Sequence, residues 1–337
     1  SLLRMGAYQI LFMDVRDAAA CSEAVSLAKK RGFGRLSGFV NGVLRTIVRE
    51  KDRLPVPDKK EFDKYLSITY SVPEWLSRLM IDQYGAQTAE MMFASFLEAR
   101  PLTIRTNLSV ITPEALEEEL KKEGVSVERG TYLPYALTIS HLNYLGKLAA
   151  FRQGKFAVQD ESSQLAVEVA DINEGDFVLD VCAAPGGKTF HAADRLHGTG
   201  KVLSRDLTEY KTDLIEENKD RMCYENVEVQ QWDALVEDES LLESVDVLLA
   251  DLPCSGLGIM GRKNDIKYQM TQQQLSELAQ LQRDILSVIW KYVKPGGEMI
   301  FSTCTLNRGE NIENIRWIEE NTPMRLVSIE DYLPETL

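Results

Sequence analysis

The chain has 337 residues, of which 44% are hydrophobic and 27% charged, and its formal net charge is −14. This length suffices for two or three domains, and the composition is that of a folded globular protein. No apolar run reaches the roughly 18 residues that a membrane-spanning helix needs, so we expect no membrane partner. The five cysteines form no Cys-x-x-Cys pair, and there are three histidines. This predicts a reducing cytoplasmic location and no metal site.

The charge is unevenly distributed along the chain. Residues 1–49 carry a net charge of +5, which leaves −19 for the remainder. A basic segment on an acidic body is typical of contact with a polyanion such as RNA. A solvated helix face explains the same charge, and charge alone slightly favours that explanation. The candidate RNA-binding residues are Arg4, Lys29, Lys30, Arg31, Arg35 and Arg45.

The first hundred residues are predicted to be helical. Apolar residues recur at helical spacing in three segments of residues 1–50, and similar patterns return over residues 60–100. Leu54-Pro-Val-Pro57 predicts a linker between the two regions. We therefore expect an all-α domain over residues 1–54.

A helical linker and a small α+β subdomain are predicted for residues 55–150. A strand is expected at 102–107, a capped helix at 112–124, and further strands at 125–128 and 136–139. This order resembles half of an RNA-recognition-like sheet. It lacks the aromatic sequence with which such sheets stack on unpaired bases.

Strands and helices alternate from Phe156 onward. This predicts an α/β domain over residues 151–337, with a mostly parallel sheet covered on both faces. The predicted strands are 177–181, 201–206, 226–230, 245–251 and 297–303, and the predicted helices are 161–171, 187–196, 208–222, 271–293 and 309–321. Ligands of such sheets bind at the carboxyl ends of the strands. The reactive side chains at or just past those ends are Asp180, Asp206, Asp233, Asp251 and Cys304.

The turn after the first of these strands reads Val181-Cys-Ala-Ala-Pro-Gly-Gly-Lys-Thr189. Its small residues let a ligand approach the backbone and the amides of the next helix. It is not a P-loop, because Cys182 stands at the required first glycine. It also fails the dinucleotide pattern, since Cys182 and Ala184 replace two of the three glycines. Two interpretations of the turn remain: a loop that binds S-adenosylmethionine, and an ordinary tight turn between a strand and a helix.

Acidic residues at successive strand ends favour the cofactor interpretation. Asp206 can accept hydrogen bonds from both ribose hydroxyls of an adenosine ligand. Asp233 stands where an acid can accept from the adenine amine. Each acid alone is more often a solvated loop residue, but acids at three neighbouring strand ends are harder to explain that way.

Two cysteines also follow neighbouring strands: Cys254, in Asp251-Leu-Pro-Cys-Ser-Gly256, and Cys304, in Ser302-Thr-Cys-Thr305. Methyltransferases that act on amino groups commonly carry Asp/Asn-Pro-Pro-aromatic where this chain has Asp251-Leu-Pro-Cys254. The Pro-Cys sequence therefore argues against methylation of an amine. A lone cysteine usually serves as a small buried apolar residue. A pair beside a cofactor loop favours a catalytic role.

These motifs resemble the RNA cytosine-C5 methyltransferases. The resemblance is carried by Val181–Thr189, Asp251–Gly258, Asp265-Ile-Lys267 and Ser302–Thr305. Residues 38–45 are similar to the NusB-like helical domain, truncated here, which marks the bacterial branch acting on small-subunit ribosomal RNA. The implied fold is a Rossmann-like α/β methyltransferase domain, preceded by the α+β RNA-recognition-like subdomain and the partial all-α NusB-like domain. Arg308-Gly-Glu-Asn311 stands where the family usually has Pro-Glu-Glu-Asn, and Leu252 where it has Ala.

The resemblance implies methyl transfer from S-adenosylmethionine to C5 of a cytosine in 16S rRNA, through a covalent adduct at C6. It implies Cys304 as nucleophile and Cys254 as its partner. We expect Cys254 to help remove the C5 proton or release product, and Asp251 to stabilise the protonated ring nitrogen N3 during attack. We expect a monomer that needs no metal. The implied cofactor-binding residues are Cys182, Ala183, Ala184, Pro185, Gly186, Gly187, Lys188, Asp206, Asp233 and Asp251.

Two other functions compete with this one. A methyltransferase of another RNA atom is disfavoured by the Pro-Cys sequence and the second cysteine. A catalytically inert RNA-binding assembly factor is disfavoured by the intact Cys304 and cofactor loop. The chemistry alone leaves the nucleophile open, because DNA cytosine-C5 enzymes attack from the Pro-Cys position, which is Cys254 here.

Overall fold

The computed structural model describes residues 1–55, 57–98, 100–142 and 144–334. The chain divides into two compact units, Ser1–Glu74 and Trp75–Leu337. The helices of the first unit are α1 (Leu2–Phe12), α2 (Asp17–Lys30), α3 (Ser37–Glu50) and α4 (Phe62–Thr69). The helical segments predicted for residues 1–50 are confirmed.

Small side chains let these helices pack closely. Ala20, Ala24 and Ala28 recur along one face of α2 and are buried with Leu44 of α3. A Cβ atom at Gly6 of α1 would lie 2.8 Å from the Leu44 side chain, so this crossing favours glycine. The first unit therefore has its own apolar core.

The second unit begins within α5 (Glu74–Tyr84), which is followed by α6 (Ala86–Ser95) and a small antiparallel sheet. Over the described residues, this sheet has the order β2-β3-β1-β4. Its strands are β1 (Leu102–Thr106), β2 (Ser126–Arg129), β3 (Ala136–Ser140) and β4 (Phe156–Val158), with helices α7 (Pro113–Lys122) and α8 (Ala149–Arg152). The predicted strand–helix–strand–strand order is confirmed. The sequence analysis does not predict β4, because three residues are too few to show the alternation of apolar and polar residues typical of a strand. β4 follows the domain boundary expected at 150/151, yet it pairs with β1. The domain boundaries stay predictions.

The large sheet is parallel and has the order β7-β6-β5-β8-β9 within the part of the chain that is described. Its strands are β5 (Phe177–Asp180), β6 (Lys201–Asp206), β7 (Val227–Gln231), β8 (Val245–Asp251) and β9 (Val293–Ser302). The accompanying helices are α9 (Glu161–Glu168), α10 (Gly187–Arg195), α11 (Glu209–Met222), α12 (Ile266–Gln269), α13 (Gln272–Ile289) and α14 (Ile312–Asn321). The strand order reverses between β5 and β8, which opens a crevice at their carboxyl ends.

The start of β9 differs most from the prediction. The strand was expected at 297–303 but spans Val293–Ser302, so that Pro295 and Gly296 lie within it. Proline is tolerated there because β9 is an edge strand of the sheet, and an edge position does not require every N–H to pair.

A buried ion pair joins the small sheet to α10, a helix packed on the large sheet. Arg105 of β1 donates from Nη1 to Asp194 of α10 at 2.9 Å, and neither side chain is more than 4% exposed. The backbone N–H groups of Leu108 and Ser109 donate to the same carboxylate at 3.1 and 2.9 Å. Because removing one partner would leave a buried charge unpaired, this contact favours a single arrangement of the two sheets.

Within the described ranges, every helix is too short or too polar to cross a lipid bilayer.

Candidate functional site

The loop between β5 and α10 contains the predicted cofactor-binding residues Cys182–Lys188. Gly186 has a φ of 101°, and a Cβ atom there would lie 2.2 Å from the Phe190 ring, so only glycine fits. A Cβ atom at Gly187, the first residue of α10, would meet nothing closer than 3.9 Å. The start of α10 therefore leaves room for a ligand beside the backbone.

Asp206, at the end of β6, supports this loop. Its carboxylate accepts hydrogen bonds from the N–H of Ala184 at 3.0 Å, the N–H of Leu207 at 2.7 Å and Lys211 Nζ at 2.8 Å. Asp233 lies two residues past β7, is exposed, and accepts from the N–H of Leu235 at 3.0 Å. The structure thus brings Asp206 against the loop and leaves the Asp233 side chain exposed at the neighbouring strand end.

Asp180 is a buried acid below the loop. Its Oδ2 accepts from Thr189 Oγ1 at 2.7 Å, whereas Oδ1 has no hydrogen-bond partner among the described residues. Burial raises the pKa of Asp180 to about 7, against the opposing effect of the Thr189 bond. A buried oxygen usually has a partner. This orphaned acceptor, the open glycine backbone and the nearby acids fit a cofactor that carries positive charge and hydroxyl donors.

Lys188 forms an ion pair with Asp251 at the end of β8. The Nζ–Oδ2 distance is 2.6 Å, and Ser302 Oγ donates to the other carboxylate oxygen at 3.0 Å. The Lys188 side chain is 12% exposed and that of Asp251 36%, so the carboxylate faces the crevice more openly than the ammonium. The contact connects the cofactor loop to the ends of β8 and β9.

The two predicted cysteines are adjacent. Cys254 Sγ and Cys304 Sγ are 3.1 Å apart, although 50 residues separate them in the chain. The register explains this, because Asp251 of β8 pairs with Ser302 of β9 and the two cysteines follow within three residues. Cys304 is exposed and Cys254 half-buried.

The two thiols differ in acidity. The hydrogen bond from Cys254 lowers the pKa of Cys304, and the Lys188 ammonium acts in the same direction, against burial and Asp251. The pKa of Cys254 is raised, first by its bond to Cys304 and then by burial. Cys304 therefore loses the first proton, and Cys254 retains its own. Burial, followed by Asp206, raises the pKa of Cys182 to about 12, so this third cysteine stays a thiol.

Three buried polar residues beside the cysteines were missed by the sequence analysis. Ser255, Gln282 and Thr305 belong to one hydrogen-bonded cluster with Glu310. Gln282 did carry a signal: it lies at helical spacing among the buried apolar residues of α13. A polar residue on an apolar face needs partners, and Gln282 donates to the Pro253 carbonyl and to Glu310 and accepts from Asn314.

The candidate RNA-binding residues lie in the first unit and are all exposed. They are distributed over α1, α2, α3 and the connection between α2 and α3. Within the described residues, none of the six has a carboxylate oxygen within 4.0 Å. Their positive charge is therefore free of ion pairing.

Within the part of the chain that the structure describes, no group of three or more His, Cys, Asp or Glu side chains could hold a metal ion.

Three family models match this chain in sequence. Residues 167–333 match the model for the 16S rRNA methyltransferase RsmB/F, residues 1–49 the NusB family, and residues 72–143 the RsmF/B-like ferredoxin-like domain. The chain is 36% identical to the probable ribosomal RNA small subunit methyltransferase B of Bacillus subtilis, covering 99% of this chain and 75% of that protein. It is 31% identical to ribosomal RNA small subunit methyltransferase B of Serratia proteamaculans, covering 97% and 75%.

Solved structures share the fold. The crystal structure of PH0851 superimposes with a TM-score of 0.82 at 28% identity, covering 96% of this chain and 73% of that one. The structure of NSun6 from Pyrococcus horikoshii with SFG gives a TM-score of 0.65 at 22% identity, covering 81% and 91%. The chain therefore belongs to the RsmB/F family of 16S rRNA methyltransferases, and its cofactor is S-adenosylmethionine.

Proposed function

We propose that this ribosomal RNA methyltransferase transfers the methyl group to C5 of a cytosine in 16S rRNA, with Cys304 as nucleophile. The observation that supports it most is the cysteine pair. The two sulfurs lie 3.1 Å apart beside the Lys188–Asp251 ion pair, and the exposed sulfur is the one with the lowered pKa.

Carbon C5 of cytosine is too weak a nucleophile to be methylated directly. The Cys304 thiolate adds to C6, and the electron pair of the C5–C6 double bond moves to C5, which then takes the methyl group. S-adenosylmethionine supplies this methyl on a positively charged sulfur. Removal of the C5 proton returns an electron pair to the ring, re-forms the double bond and expels the thiolate. Covalent catalysis divides one difficult step into easier ones.

The neighbouring groups have complementary roles in this proposal. Cys254 holds its proton at the start and hydrogen-bonds the Cys304 thiolate, which favours the attacking form. After methyl transfer it assists removal of the C5 proton or release of product, directly or through a water. Asp251 stabilises the protonated ring nitrogen N3, and Lys188 orients that carboxylate through the contact of its Nζ with Oδ2 at 2.6 Å. A paired cytosine would first have to leave its stack, so an unpaired target is the least costly.

We assign cofactor binding to the loop 182–188 and the carboxylates of Asp206, Asp233 and Asp251. The chain therefore offers a direct test. Asp206→Ala removes an acceptor that also holds the Ala184 N–H, and we expect affinity for S-adenosylmethionine to fall about tenfold or more. Asp213→Ala, an exposed acid on α11, is the matched control and should bind normally. Equal affinities of the two variants in calorimetry would refute the assignment of Asp206.

We assign RNA binding in part to the basic residues of the first unit. Replacing Lys29 and Lys30, in the last turn of α2, by glutamine should weaken RNA binding and flatten its salt dependence. Each lost phosphate contact lowers the log–log slope by roughly 0.7–0.9. Lys121→Gln with Lys122→Gln, in the last turn of α7, is a matched control and should change neither quantity. Filter binding at several salt concentrations measures both the RNA affinity and the slope of its salt dependence. The same slope in both double variants would show that the α2 lysines are only solvated.

The specificity for C5 is tested by mapping the product. Unmodified 16S rRNA is incubated with the protein and labelled S-adenosylmethionine, digested, and analysed by mass spectrometry. We expect 5-methylcytidine at a defined position and a covalent complex with RNA that contains 5-fluorocytidine. A methyl group on another atom would replace the C5 assignment. Cofactor binding without any methylation would favour an inert assembly factor.

A further inference from the structure

We propose that Glu310 is the positioning residue of the cysteine pair, tying the backbone around Cys254 to the segment that follows Cys304. The inference rests on the proposed function for the catalytic roles of the cysteines. The positioning itself can be measured without methylation. Glu310 hydrogen-bonds neither sulfur in the described structure, so it acts through the residues beside them.

The Glu310 carboxylate is completely buried. It accepts hydrogen bonds from the Ser255 N–H at 2.8 Å, Ser255 Oγ at 2.6 Å, Asn307 Nδ2 at 3.1 Å and Gln282 Nε2 at 3.3 Å. Over the described residues no Lys, Arg or His side chain lies within ion-pair distance of it. A buried carboxylate is costly unless it is hydrogen-bonded, so this one strongly favours the arrangement that brings its neutral donors together.

The first effect of the Glu310 carboxylate is on the backbone around Cys254. The N–H of Ser255, which follows it, donates to Glu310, and the carbonyl of Pro253, which precedes it, accepts from Gln282 Nε2 at 2.8 Å. Gln282 also contacts Glu310. Both peptide groups flanking Cys254 are thus held by one cluster centred on the carboxylate.

The second effect of the Glu310 carboxylate is on the segment after Cys304. Ser255 Oγ and Thr305 Oγ1 share a hydrogen bond of 2.6 Å. Because the single hydroxyl proton of Ser255 points to Glu310, Thr305 must be the donor in that bond. The N–H of Asn307 donates in turn to Thr305 Oγ1 at 3.1 Å. The negative charge therefore aligns a chain of donors that runs from the Cys304 segment to the Cys254 segment.

The carbonyl of Cys304 provides a second contact between the two segments. It accepts from the Gly258 N–H at 2.9 Å, and a Cβ atom at position 258 would lie 2.9 Å from the same oxygen. The two segments thus contact each other at two points near the sulfur pair, Ser255 with Thr305 and Gly258 with Cys304. A shift of about 1 Å in a reacting group can lower a rate about 100-fold, so loss of the carboxylate should slow the chemistry without removing a reacting atom.

The test uses the formation of a disulfide between Cys254 and Cys304 as a measure of their proximity. Diamide oxidises the two thiols to a disulfide, and its azo bond takes up the two electrons and two protons. The variants are Glu310→Gln and the milder Ser255→Ala, with Glu320→Gln, an exposed acid on α14, as control. The rate of the Cys254–Cys304 disulfide is followed by peptide mass spectrometry, together with cofactor affinity, kcat and KM.

We expect wild type and Glu320→Gln to form the disulfide at the same rate, and Glu310→Gln and Ser255→Ala to form it at least about tenfold more slowly. Their kcat, normalised to the number of cofactor-binding sites found by titration, should fall about 10- to 100-fold while KM for the cofactor is unchanged. The normalisation is needed because unfolded protein also lowers an apparent kcat without changing KM. If Glu310→Gln does not fold, Ser255→Ala decides.

Unchanged disulfide rates would overturn the positioning role, even if methylation fell. Slower disulfide formation with unchanged kcat would preserve the positioning and instead overturn the catalytic roles of the cysteines. Failure of this inference is therefore distinguishable from failure of the proposed function.

Discussion

Cys304→Ala is expected to abolish methylation and to form no covalent complex with RNA. Without the thiolate, nothing adds to C6, and C5 does not gain the electron density that it needs to accept a methyl group. Removing the nucleophile of a covalent mechanism typically lowers the rate by a factor on the order of 10⁴–10⁶. Because the side chain is exposed and small, the substitution should leave the fold and cofactor affinity intact.

This result is measured by transfer of labelled methyl groups and by denaturing electrophoresis with 5-fluorocytidine RNA. Cys223→Ala is the matched control, since Cys223 is also an exposed free cysteine and should be dispensable. Normal methylation by both variants would contradict the covalent mechanism through Cys304.

Cys254→Ala is expected to differ in kind, by accumulating a protein–RNA complex that survives denaturing electrophoresis. Cys304 can still attack and methylation can still occur, but the group that assists proton removal or product release is absent. Release therefore becomes slow. The opposite pattern, with trapping by Cys304→Ala and none by Cys254→Ala, would reverse the two roles.

For Cys254→Ala we also expect a shift in the pH dependence of the attack of Cys304 on C6. The hydrogen bond from Cys254 is the largest cause of the lowered pKa of Cys304, so its loss should raise that pKa. Less thiolate is then present at neutral pH, and the rate of adduct formation should reach its plateau at a higher pH than in wild type. An unchanged profile would show that Cys254 does not assist ionisation of Cys304.

The sequence by itself determined the order of the elements and the neighbourhood of the site. The five strands of the large sheet were predicted to within four residues at each end. Parallel strands carry their carboxyl ends to one edge, so the acids and cysteines that follow them had to converge. The loop after β5 was recognised from its run of small residues, and the φ of 101° at Gly186 shows why glycine is needed there.

Only the tertiary structure decided the distances and the burial. The register of β8 with β9 brings two sulfurs to 3.1 Å across 50 residues, and no local pattern encodes that register. The same packing buries Glu310 among neutral donors from three separate segments and turns Asp206 against the backbone of the cofactor loop. Whether an acid is solvated, paired or enclosed depends on residues far away in the chain, because desolvation and hydrogen bonding are properties of the packed environment rather than of the sequence around it.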